Sequence, residues 1–294
     1  MAPAGPVKAT SVRVGIHVSV GGGLVKAARR AQSLGCECAQ IFVRNSRGWR
    51  GRSYTPAERE DFRAALAAGT ISPLVIHSCY LVNLASPDAV LWDRSLRSVA
   101  DDAERAAMLG GQFVVFHFGH HMGVGEAAGL RNIVRALKSI LANAPDTIEL
   151  LLENSAGRGT EMGAEWDEFA QLFDMLGGDE RVGACFDTCH AHAAGHRLDG
   201  PVRVGRALRA ADEAIGLPRL RLLHCNDSRA PAGSRIDHHQ HIGRGTIGDV
   251  GFRALLRRQE LRGRCAILET PIDRPGDDVR NIKRIKRLRA GIRA

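Results

Sequence analysis

The feature that most constrains this chain is a regular alternation of short apolar runs with longer segments of helical periodicity. None of the apolar runs alternates polar with apolar residues, which is typical of parallel strands buried on both faces. The runs are Val12–His17, Ala39–Val43, Leu74–His77, Phe113–His117, Ile148–Glu153, Val182–Asp187, Leu220–Asn226 and Ala266–Glu269. Eight strand–helix units predict an α/β fold, a single (β/α)₈ or TIM barrel, with an open doubly wound sheet as the alternative.

Local signals mark the ends of several predicted helices. Residues 55–58, Thr-Pro-Ala-Glu, match a capping box with proline at the first helical position. The helix that follows Ser86-Pro87-Asp88 is predicted to stop before Gly110. Residues 227–249 form a long stretch rich in Gly, His and Arg, and long irregular loops in compact domains usually serve function. We expect one domain over residues 1–294, with residues 1–11 as a flexible extension.

Composition narrows the class of partner and the compartment. A formal net charge of +9 and a pI of about 9.6 favour polyanionic partners such as nucleic acid. Seven cysteines without a C-x-x-C pair favour packing thiols in a reducing, cytoplasmic setting over a disulfide framework. No secretory signal is visible, and no apolar stretch approaches the length needed to span a membrane.

Six potential metal ligands lie at or near the ends of the predicted strands, where the active sites of such barrels form. They are His77, His117, Glu153, Asp187, His224 and Glu269. Any one of them alone has an ordinary structural reading, but carboxylates buried together without a cation would be costly. Histidine and carboxylate without thiolate suits zinc or manganese, with zinc favoured. Further candidates are His190, three residues after Asp187, and the pair Asp237 and His239, which could equally belong to a solvated polar loop.

Several motifs occur together in one order along the chain. They are residues 15–23 (GIHVSVGGG), 41–49 (IFVRNSRGW), 76–85 (IHSCYLVNLA), 151–159 (LLENSAGRG), 186–191 (FDTCHA), 224–228 (HCNDS), 233–248 (GSRIDHHQHIGRGTIG) and 268–271 (LETP). With them the chain resembles endonuclease IV, the zinc-dependent apurinic/apyrimidinic (AP) endonuclease family, over nearly its whole length. The ordered set carries the resemblance, because any single block would be a weak signal.

The resemblance implies a cluster of three zinc ions at the strand ends, with manganese possible at some positions. It assigns His77, His117 and Glu153 to the first ion, Glu153 again with Asp187, His224 and Glu269 to the second, and His190, Asp237 and His239 to the third. The implied reaction is hydrolysis of the phosphodiester 5′ to an abasic site, leaving a 3′-hydroxyl and a 5′-deoxyribose phosphate. Glu153 or Glu269 could accept a proton, and removal of 3′-blocking groups is an expected second activity.

The resemblance also implies that Arg47, Tyr80 and Leu81 wedge into double-stranded DNA while the abasic nucleotide flips out. Without it, Tyr80 and Leu81 would read as ordinary loop packing. Two departures concern the DNA contacts: His238 stands where the family usually has Arg, which predicts a weaker, pH-dependent phosphate contact, and Gly48 replaces a bulkier polar residue.

The basic tail, residues 279–294, is predicted to be the last barrel helix with a solvated basic face rather than a DNA-binding element. Two other functions remain open. One is a sugar isomerase or epimerase on a metal-bearing barrel, although the strand ends offer no lysine and a third ligand set would be surplus. The other is a non-enzymatic DNA-binding protein with structural zinc, for which cysteine-rich ligation would be more typical. We expect a monomer, since recognition on one rim needs no partner.

Overall fold

A computed structural model describes residues 11–291. The strands are β1 (Arg13–His17), β2 (Cys38–Phe42), β3 (Leu74–His77), β4 (Phe113–His117), β5 (Glu149–Glu153), β6 (Val182–Asp187), β7 (Leu220–His224), β8 (Asp227–Ser228), β9 (His239–Gln240) and β10 (Cys265–Leu268). The helices are α1 (Leu24–Ser33), α2 (Pro56–Ala68), α3 (Ala89–Leu109), α4 (Glu126–Leu141), α5 (Trp166–Met175), α6 (Thr188–Ala194), α7 (Pro201–Ile215), α8 (Gly248–Leu256) and α9 (Asp277–Ala290), with short 3₁₀ turns at Leu217–Arg219 and Gln259–Leu261. The flexible extension expected for residues 1–11 lies, except for Ser11, outside the described residues.

Eight parallel strands close into a barrel in the order β1-β10-β7-β6-β5-β4-β3-β2. Closure confirms the (β/α)₈ prediction, and the open doubly wound sheet is wrong. The remaining strands, β8 and β9, pair antiparallel outside the barrel, so the long segment 227–249 contains a short hairpin that the sequence did not indicate.

Three barrel strands end earlier than predicted, and the second, β2, ends one residue early at Phe42. The seventh ends at His224 and the eighth, β10, ends at Leu268, so Asn226 and Glu269 lie just beyond the ladder. At the ends of β7 and β10 a side chain replaces a backbone partner, because the Asn226 amide oxygen accepts a hydrogen bond from the Glu269 backbone N–H at 2.7 Å. The chain leaves the sheet here because a side chain takes over a backbone hydrogen bond.

Helix ends follow the predicted local chemistry. Thr55 and Glu58 form the reciprocal capping box at the start of α2. The Asp88 carboxylate accepts hydrogen bonds from two backbone N–H groups at the start of α3, and Gly110 ends that helix with φ of 78°. In the basic tail, α9 buries Ile282, Ile285 and Leu288 as predicted, whereas Val279 at its start is exposed. The helix ends at Ala290, and residues 292–294 of the predicted helix lie outside the described residues.

The interior of the barrel is filled by a layer of apolar side chains. Its members are Cys38, Val75, Val115, Leu151, Cys185, Leu222, Cys265 and Ile267, all buried. We call this set the plug layer. On β1 the corresponding position is Gly15, where a Cβ would lie 2.0 Å from the Cys38 carbonyl oxygen, so no larger residue fits. The plug layer closes the barrel beneath the carboxyl ends of the strands.

Side-chain chemistry agrees with the composition. All seven cysteines are free and buried, as expected for thiols used in packing. In residues 11–291 no helix combines the length and apolar character needed to cross a membrane. Among the histidines outside the predicted ligand sets, His192 and His241 are buried, and His192 lies within α6.

Candidate metal centre

A ring of polar side chains stands directly above the plug layer. Successive side chains of a strand point to opposite faces, so residues two apart share a face. Two residues beyond Gly15, and beyond every plug residue except Cys265, the chain carries His17, Gln40, His77, His117, Glu153, Asp187, His224 or Glu269. We call this set the rim ring. It includes all six ligands predicted from strand ends, and it adds His17 and Gln40.

Glu153 lies at the centre of the rim ring and is completely buried. Its Oε2 lies 3.2 Å from Nε2 of His77 and 3.7 Å from Nε2 of His117. Its other oxygen, Oε1, lies 2.9 Å from Nδ1 of His224. A fourth imidazole, that of His190, lies with its Nδ1 3.4 Å from Oε1. One carboxylate therefore faces four imidazoles through both of its oxygens, an arrangement that would suit a ligand shared between two cations.

Asp187 and Glu269 extend this arrangement to the far side of the ring. One ligand atom from each of Glu153, Asp187, His224 and Glu269 lies within 4.8 Å of the others, and the same holds for His77, His117 and Glu153. Asp187 also accepts a hydrogen bond from the Asn226 amide at 2.6 Å. The structure thus assembles the first two ligand sets that the family resemblance implied.

The third set, His190, Asp237 and His239, comes from α6 and the long loop. The carboxylate oxygen Oδ1 of Asp237 lies 3.2 Å from Nε2 of His190 and 3.3 Å from Nε2 of His239. Asp187 adjoins this set, because its ligand atom lies within 4.8 Å of those of His190 and His239. The nine predicted ligands therefore form one cluster, of which all but the fully buried Asp187 and His224 line a single cleft.

The outer nitrogens of several imidazoles are fixed by neighbouring oxygens. The Nδ1 atoms of His77, His190 and His239 lie 2.7, 2.9 and 3.1 Å from the backbone carbonyls of Ser78, Asn154 and Glu269. A carbonyl can only accept, so each Nδ1 carries the proton and donates. Nε2 of each ring is then left facing the carboxylates. Metal-binding histidines have this arrangement, in which one nitrogen is tethered and the other is free to coordinate.

His224 is held in the same way by a side chain. Its Nε2 donates to the Gln40 amide oxygen at 2.8 Å, while the Gln40 amide nitrogen donates to Oε1 of Glu269 at 2.6 Å. The same nitrogen lies 2.9 Å from Nδ1 of His17. Gln40 is fully buried and orients three members of the ring at once. Sequence reasoning missed it, although a lone amide within an apolar strand was an available signal.

Burial and mutual charge set the ionisation of the cluster. Burial favours the neutral form of Glu153, but the imidazoles of His224 and His117 hold the pKa of its carboxyl well below the usual range. Burial raises the pKa of Asp187, although His190 acts against it. Burial also opposes charge on Asp237, but the hydrogen bond from His190 lowers the pKa of Asp237 to about 2. The carboxylates thus depend on positive charge from the groups around them.

The donor set fits bound divalent cations. In the described part of the chain, every ion-pair partner of Glu153, Asp187 and Glu269 is an imidazole, which is neutral unless protonated. The Nε2 atom of His239 is buried without a hydrogen-bond partner. A metal ion would supply both the missing charge and the missing partner, and oxygen with imidazole nitrogen suits zinc.

Two more residues near the cluster were not predicted. Asp227 accepts hydrogen bonds from the backbone N–H groups of Gly243, Gly245 and Ile247 at 2.8 to 3.0 Å, and so anchors the long loop. The Cys189 thiol lies within 4.8 Å of the ligand atoms of Asp237 and His239, and burial raises the pKa of Cys189 to about 12.

Among the predicted DNA-contacting residues, Tyr80 lines the cleft. Leu81 follows it in the chain, and Arg47 lies on the preceding loop, where the Ser46 carbonyl accepts a hydrogen bond from the Tyr80 backbone N–H. Arg47 is exposed, Leu81 is half-buried and Tyr80 is 57% exposed. The Tyr80 ring lies 5.9 Å from the ring of His77. His238, which replaces the arginine usual in the family, is exposed on the cleft wall. The Arg229 guanidinium lies 3.3 Å from its Nε2, so an arginine is present next to this position.

The cleft itself is open and has a volume of about 430 Å³. Its walls include the tips of loops that follow β3, β4 and β5, among them His120 and Glu161. Acidic and imidazole groups line its floor, whereas the protein as a whole is basic. A polyanion approaching this cleft would be attracted by the surface yet would need cations at the floor.

Comparison with known proteins supports the fold. A family model described as a xylose isomerase-like TIM barrel matches residues 28–293. The crystal structure of a D-psicose 3-epimerase superposes with a TM-score of 0.68 at 17% identity, covering 92% of this chain and 89% of that one. An identity this low shows the shared fold alone.

Other relatives are much more similar in sequence. A protein of Methanoculleus marisnigri named probable endonuclease 4 is 42% identical over 278 residues, 94% of this chain and 99% of that protein. A protein of the same name from Cenarchaeum symbiosum is 38% identical, with coverage of 94% and 99%. The crystal structure of endonuclease IV from Thermus thermophilus has a TM-score of 0.84 at 39% identity, covering 95% of this chain and 99% of that one. Identity at this level over nearly the whole chain shows that the protein belongs to the endonuclease IV family.

Proposed function

We propose that this protein is an AP endonuclease that hydrolyses the phosphodiester 5′ to an abasic site in double-stranded DNA, leaving a 3′-hydroxyl and a 5′-deoxyribose phosphate. The observation that carries the proposal is the clustering of nine imidazole and carboxylate ligands at one open cleft of a basic protein. The names of the similar proteins support it. Removal of 3′-blocking groups is the second activity we propose for the same cleft, in a protein that acts as a monomer.

The cofactor in this proposal is a set of three zinc ions, with manganese able to replace zinc at some positions. His77, His117 and Glu153 would hold the first, Glu153, Asp187, His224 and Glu269 the second, and His190, Asp237 and His239 the third. Such ions lower the pKa of bound water toward ~7 and neutralise charge that develops on phosphoryl and leaving oxygens.

Glu153 and Glu269 have different tasks in the proposed mechanism. Glu153 is 1% exposed at its side chain and meets imidazoles on both oxygens, so it serves as the shared ligand. Glu269 is 16% exposed and is held by Gln40 through only one oxygen at hydrogen-bond distances below 3 Å. Its Oε2 has longer contacts, 3.4 Å to Nδ1 of His224 and 3.4 Å to the Asn226 amide nitrogen, and can take a proton from the attacking water.

DNA recognition in the proposal falls to the side chains that project around the cleft. Arg47 can meet a phosphate or fill the gap left by a missing base, since its guanidinium is planar and always charged. Tyr80 and Leu81 offer an aromatic and an aliphatic surface for stacking against unpaired bases. Tyr80 is positioned by edge-on contact with Phe42, at 5.4 Å between ring centroids.

The decisive experiment is incision of an end-labelled duplex carrying one tetrahydrofuran abasic-site analogue. We expect the metal-loaded protein to cut once, directly 5′ to the lesion, and to leave an undamaged duplex intact. Prior chelation should abolish cutting and zinc should restore it. Glu269→Gln should lower the rate by at least about a hundredfold, since it removes the proton acceptor.

Glu60→Gln is the matched control, because Glu60 is an exposed residue of α2 and the charge change is the same. Cutting by this variant should equal that of the original protein. The absence of any incision by the metal-loaded protein would overturn the proposal. Equal incision by stripped protein would instead remove the metals from it.

A further inference from the structure

The side chains proposed to enter DNA lie on two loops that follow neighbouring strands. The loop of residues 44–51, after β2, carries Arg47, and the loop of residues 78–83, after β3, carries Tyr80 and Leu81. We call them the second loop and the third loop. Their tips are exposed, but their bases are joined by a buried network of charged and polar groups.

Arg44 organises the second loop. Its guanidinium donates to the Trp49 carbonyl, and its backbone pairs with that of Gly51, so the two ends of the loop are held together. The side chain of Arg44 is only 2% exposed. Residues 45–48 are therefore presented as a closed turn whose base is fixed by one buried cation.

The same guanidinium binds Asp102, a fully buried residue of α3. Its Nε and Nη2 donate to Oδ1 of Asp102 at 2.9 and 2.6 Å, and Nη2 also lies 2.7 Å from Asp101. The opposite oxygen of Asp102, Oδ2, accepts a hydrogen bond from Oγ of Ser78 at 2.8 Å. Asp102 thus links the base of the second loop to the base of the third.

A second link joins the tips of the two loops. The backbone N–H of Tyr80 donates to the Ser46 carbonyl at 2.9 Å. The Ser78 carbonyl in turn accepts from Nδ1 of His77, a member of the rim ring, at 2.7 Å. The two loops and the metal centre therefore form one hydrogen-bonded circuit, in which the Arg44–Asp102 pair forms the charged base.

The energetics of such a pair favour a geometric role over a stabilising one. Removing two charges from water is costly, and a buried ion pair contributes about as much stability as apolar side chains of the same volume. Its directional bonds, however, fix the relative orientation of the groups that it joins. A loop tip that must insert side chains into DNA gains affinity when those side chains are ordered beforehand.

We propose that Arg44 and Asp102 are a positioning pair, which fixes the second and third loops relative to each other and to the metal centre so that their tips enter DNA at the lesion. The inference rests on the proposed function and extends it to residues that touch neither DNA nor metal. Its consequence is that the pair contributes to recognition of the lesion, while the chemical step depends on the rim ring.

The test is the double variant Arg44→Met/Asp102→Leu, which keeps apolar volume and removes the directional bonds. With the abasic-analogue duplex we expect KM to rise about tenfold, because two loop side chains must now be ordered on binding. We expect kcat to stay within about twofold, a pattern that reports lost binding rather than lost chemistry. Melting temperature and zinc content should match those of the original protein.

A second readout follows insertion directly. A 2-aminopurine placed opposite the abasic analogue becomes fluorescent when its stacking is disturbed, so the original protein should raise its signal before cutting. The double variant, at saturating concentration, should give less than about half that rise. A role in stability alone would leave this signal unchanged in folded protein.

Arg221→Met/Glu149→Leu is the matched control. This pair, 2.9 Å apart, lies at the opposite end of the barrel and loses the same two charges, so KM and fluorescence should not change. If the first variant fails to fold, Ser78→Ala removes a single bond of the circuit and should raise KM about threefold. Folded variants with unchanged KM and fluorescence would overturn the inference, as would a loss confined to kcat. Failure of the original protein to cut would instead overturn the proposed function.

Discussion

The plug layer and the rim ring occupy the same strands of the barrel, two residues apart, and have opposite chemistry. On β5 the plug residue is Leu151 and the ring residue is Glu153, and both are fully buried. On β3 the corresponding residues are Val75 and His77. On these two strands, backbone geometry and burial are therefore nearly the same at the two levels, so the difference between them lies in the side chains alone.

This comparison separates the parts of the barrel that stabilise it from the part that performs chemistry. Apolar side chains in the plug layer gain free energy from burial. Carboxylates in the rim ring lose it, unless cations compensate them. Because all eight strands are parallel, their carboxyl ends, and with them the rim ring, lie at the same end of the barrel. The unfavourable burial of carboxylates is therefore confined to the candidate metal centre.

Glu153→Gln should have the largest effect on activity. The neutral amide removes a negative charge that two proposed metal sites share, so incision should fall by at least about a thousandfold. The main loss should be in activity rather than in folding, because glutamine has nearly the same volume as glutamate and leaves no cavity. Glu149→Gln, at the other end of the same strand, is the control. An active Glu153→Gln protein with full zinc content would contradict the division between the two layers.

Leu151→Ala should reverse that pattern. Loss of a fully buried leucine in the plug layer leaves a cavity, and the free energy of unfolding should fall by about 2–5 kcal/mol. Urea denaturation of the metal-free protein measures this change. Incision per folded molecule at low temperature should remain within a few fold of normal. A large loss of kcat in protein shown to be folded would mean that the plug layer also shapes the site.

Gln40→Leu tests one of the two residues that the rim ring adds to the predicted ligands. It removes the hydrogen bonds that orient His224 and Glu269, and loss of such outer contacts typically costs ~10–100-fold in metal affinity or activity. We expect a loss in that range for both, measured by zinc competition with a chelating dye and by incision at saturating zinc. Gln32→Leu, on the exposed face of α1, serves as the control. Unchanged zinc affinity would show that His224 is held by packing alone.

The smallest effect concerns an ion pair at the closed end of the barrel. Glu37 accepts hydrogen bonds from the Val14 N–H at 2.8 Å and from Arg289 at 2.9 Å. Burial would raise the pKa of Glu37, but Arg289 and the Val14 N–H lower it below the usual value. The folded-state pKa is depressed, so the stabilisation is present above the unfolded pKa of ~4.3 and is lost as pH falls below it.

Glu37→Gln should therefore be less stable than the original protein at neutral pH, by ~1 kcal/mol or less for a half-exposed pair. The difference should shrink as pH falls below ~4.3. Denaturation of both metal-free proteins across this range measures it. A difference that stays constant with pH would show that the carboxylate charge does not contribute.

Sequence patterns predicted much of this molecule because the relevant physics is local. Strand ends were located to within two residues, and the caps at Thr55 and Gly110 were found from neighbouring residues alone. His77, His117 and Glu153 were found because polar residues at the ends of apolar runs are conspicuous. The third ligand set depended on resemblance, since Asp237 and His239 lie in a loop with no periodicity.

Other features needed the folded chain. Gln40 lies 184 residues from His224 and 229 from Glu269, and no local pattern joins them. The circuit of Arg44, Asp102 and Ser78 likewise joins elements that only barrel closure brings together.

The sequence by itself determined the strand–helix alternation, the apolar plug positions and the polar residues two positions beyond them, because side-chain alternation follows from the geometry of a single strand. Only the tertiary structure decided which of those polar groups face one another, at what distance, and which ring nitrogen is free. The physical reason is that closure of the sheet into a barrel turns eight separate strand ends into one ring, so pair distances depend on strand order and register that no single segment encodes.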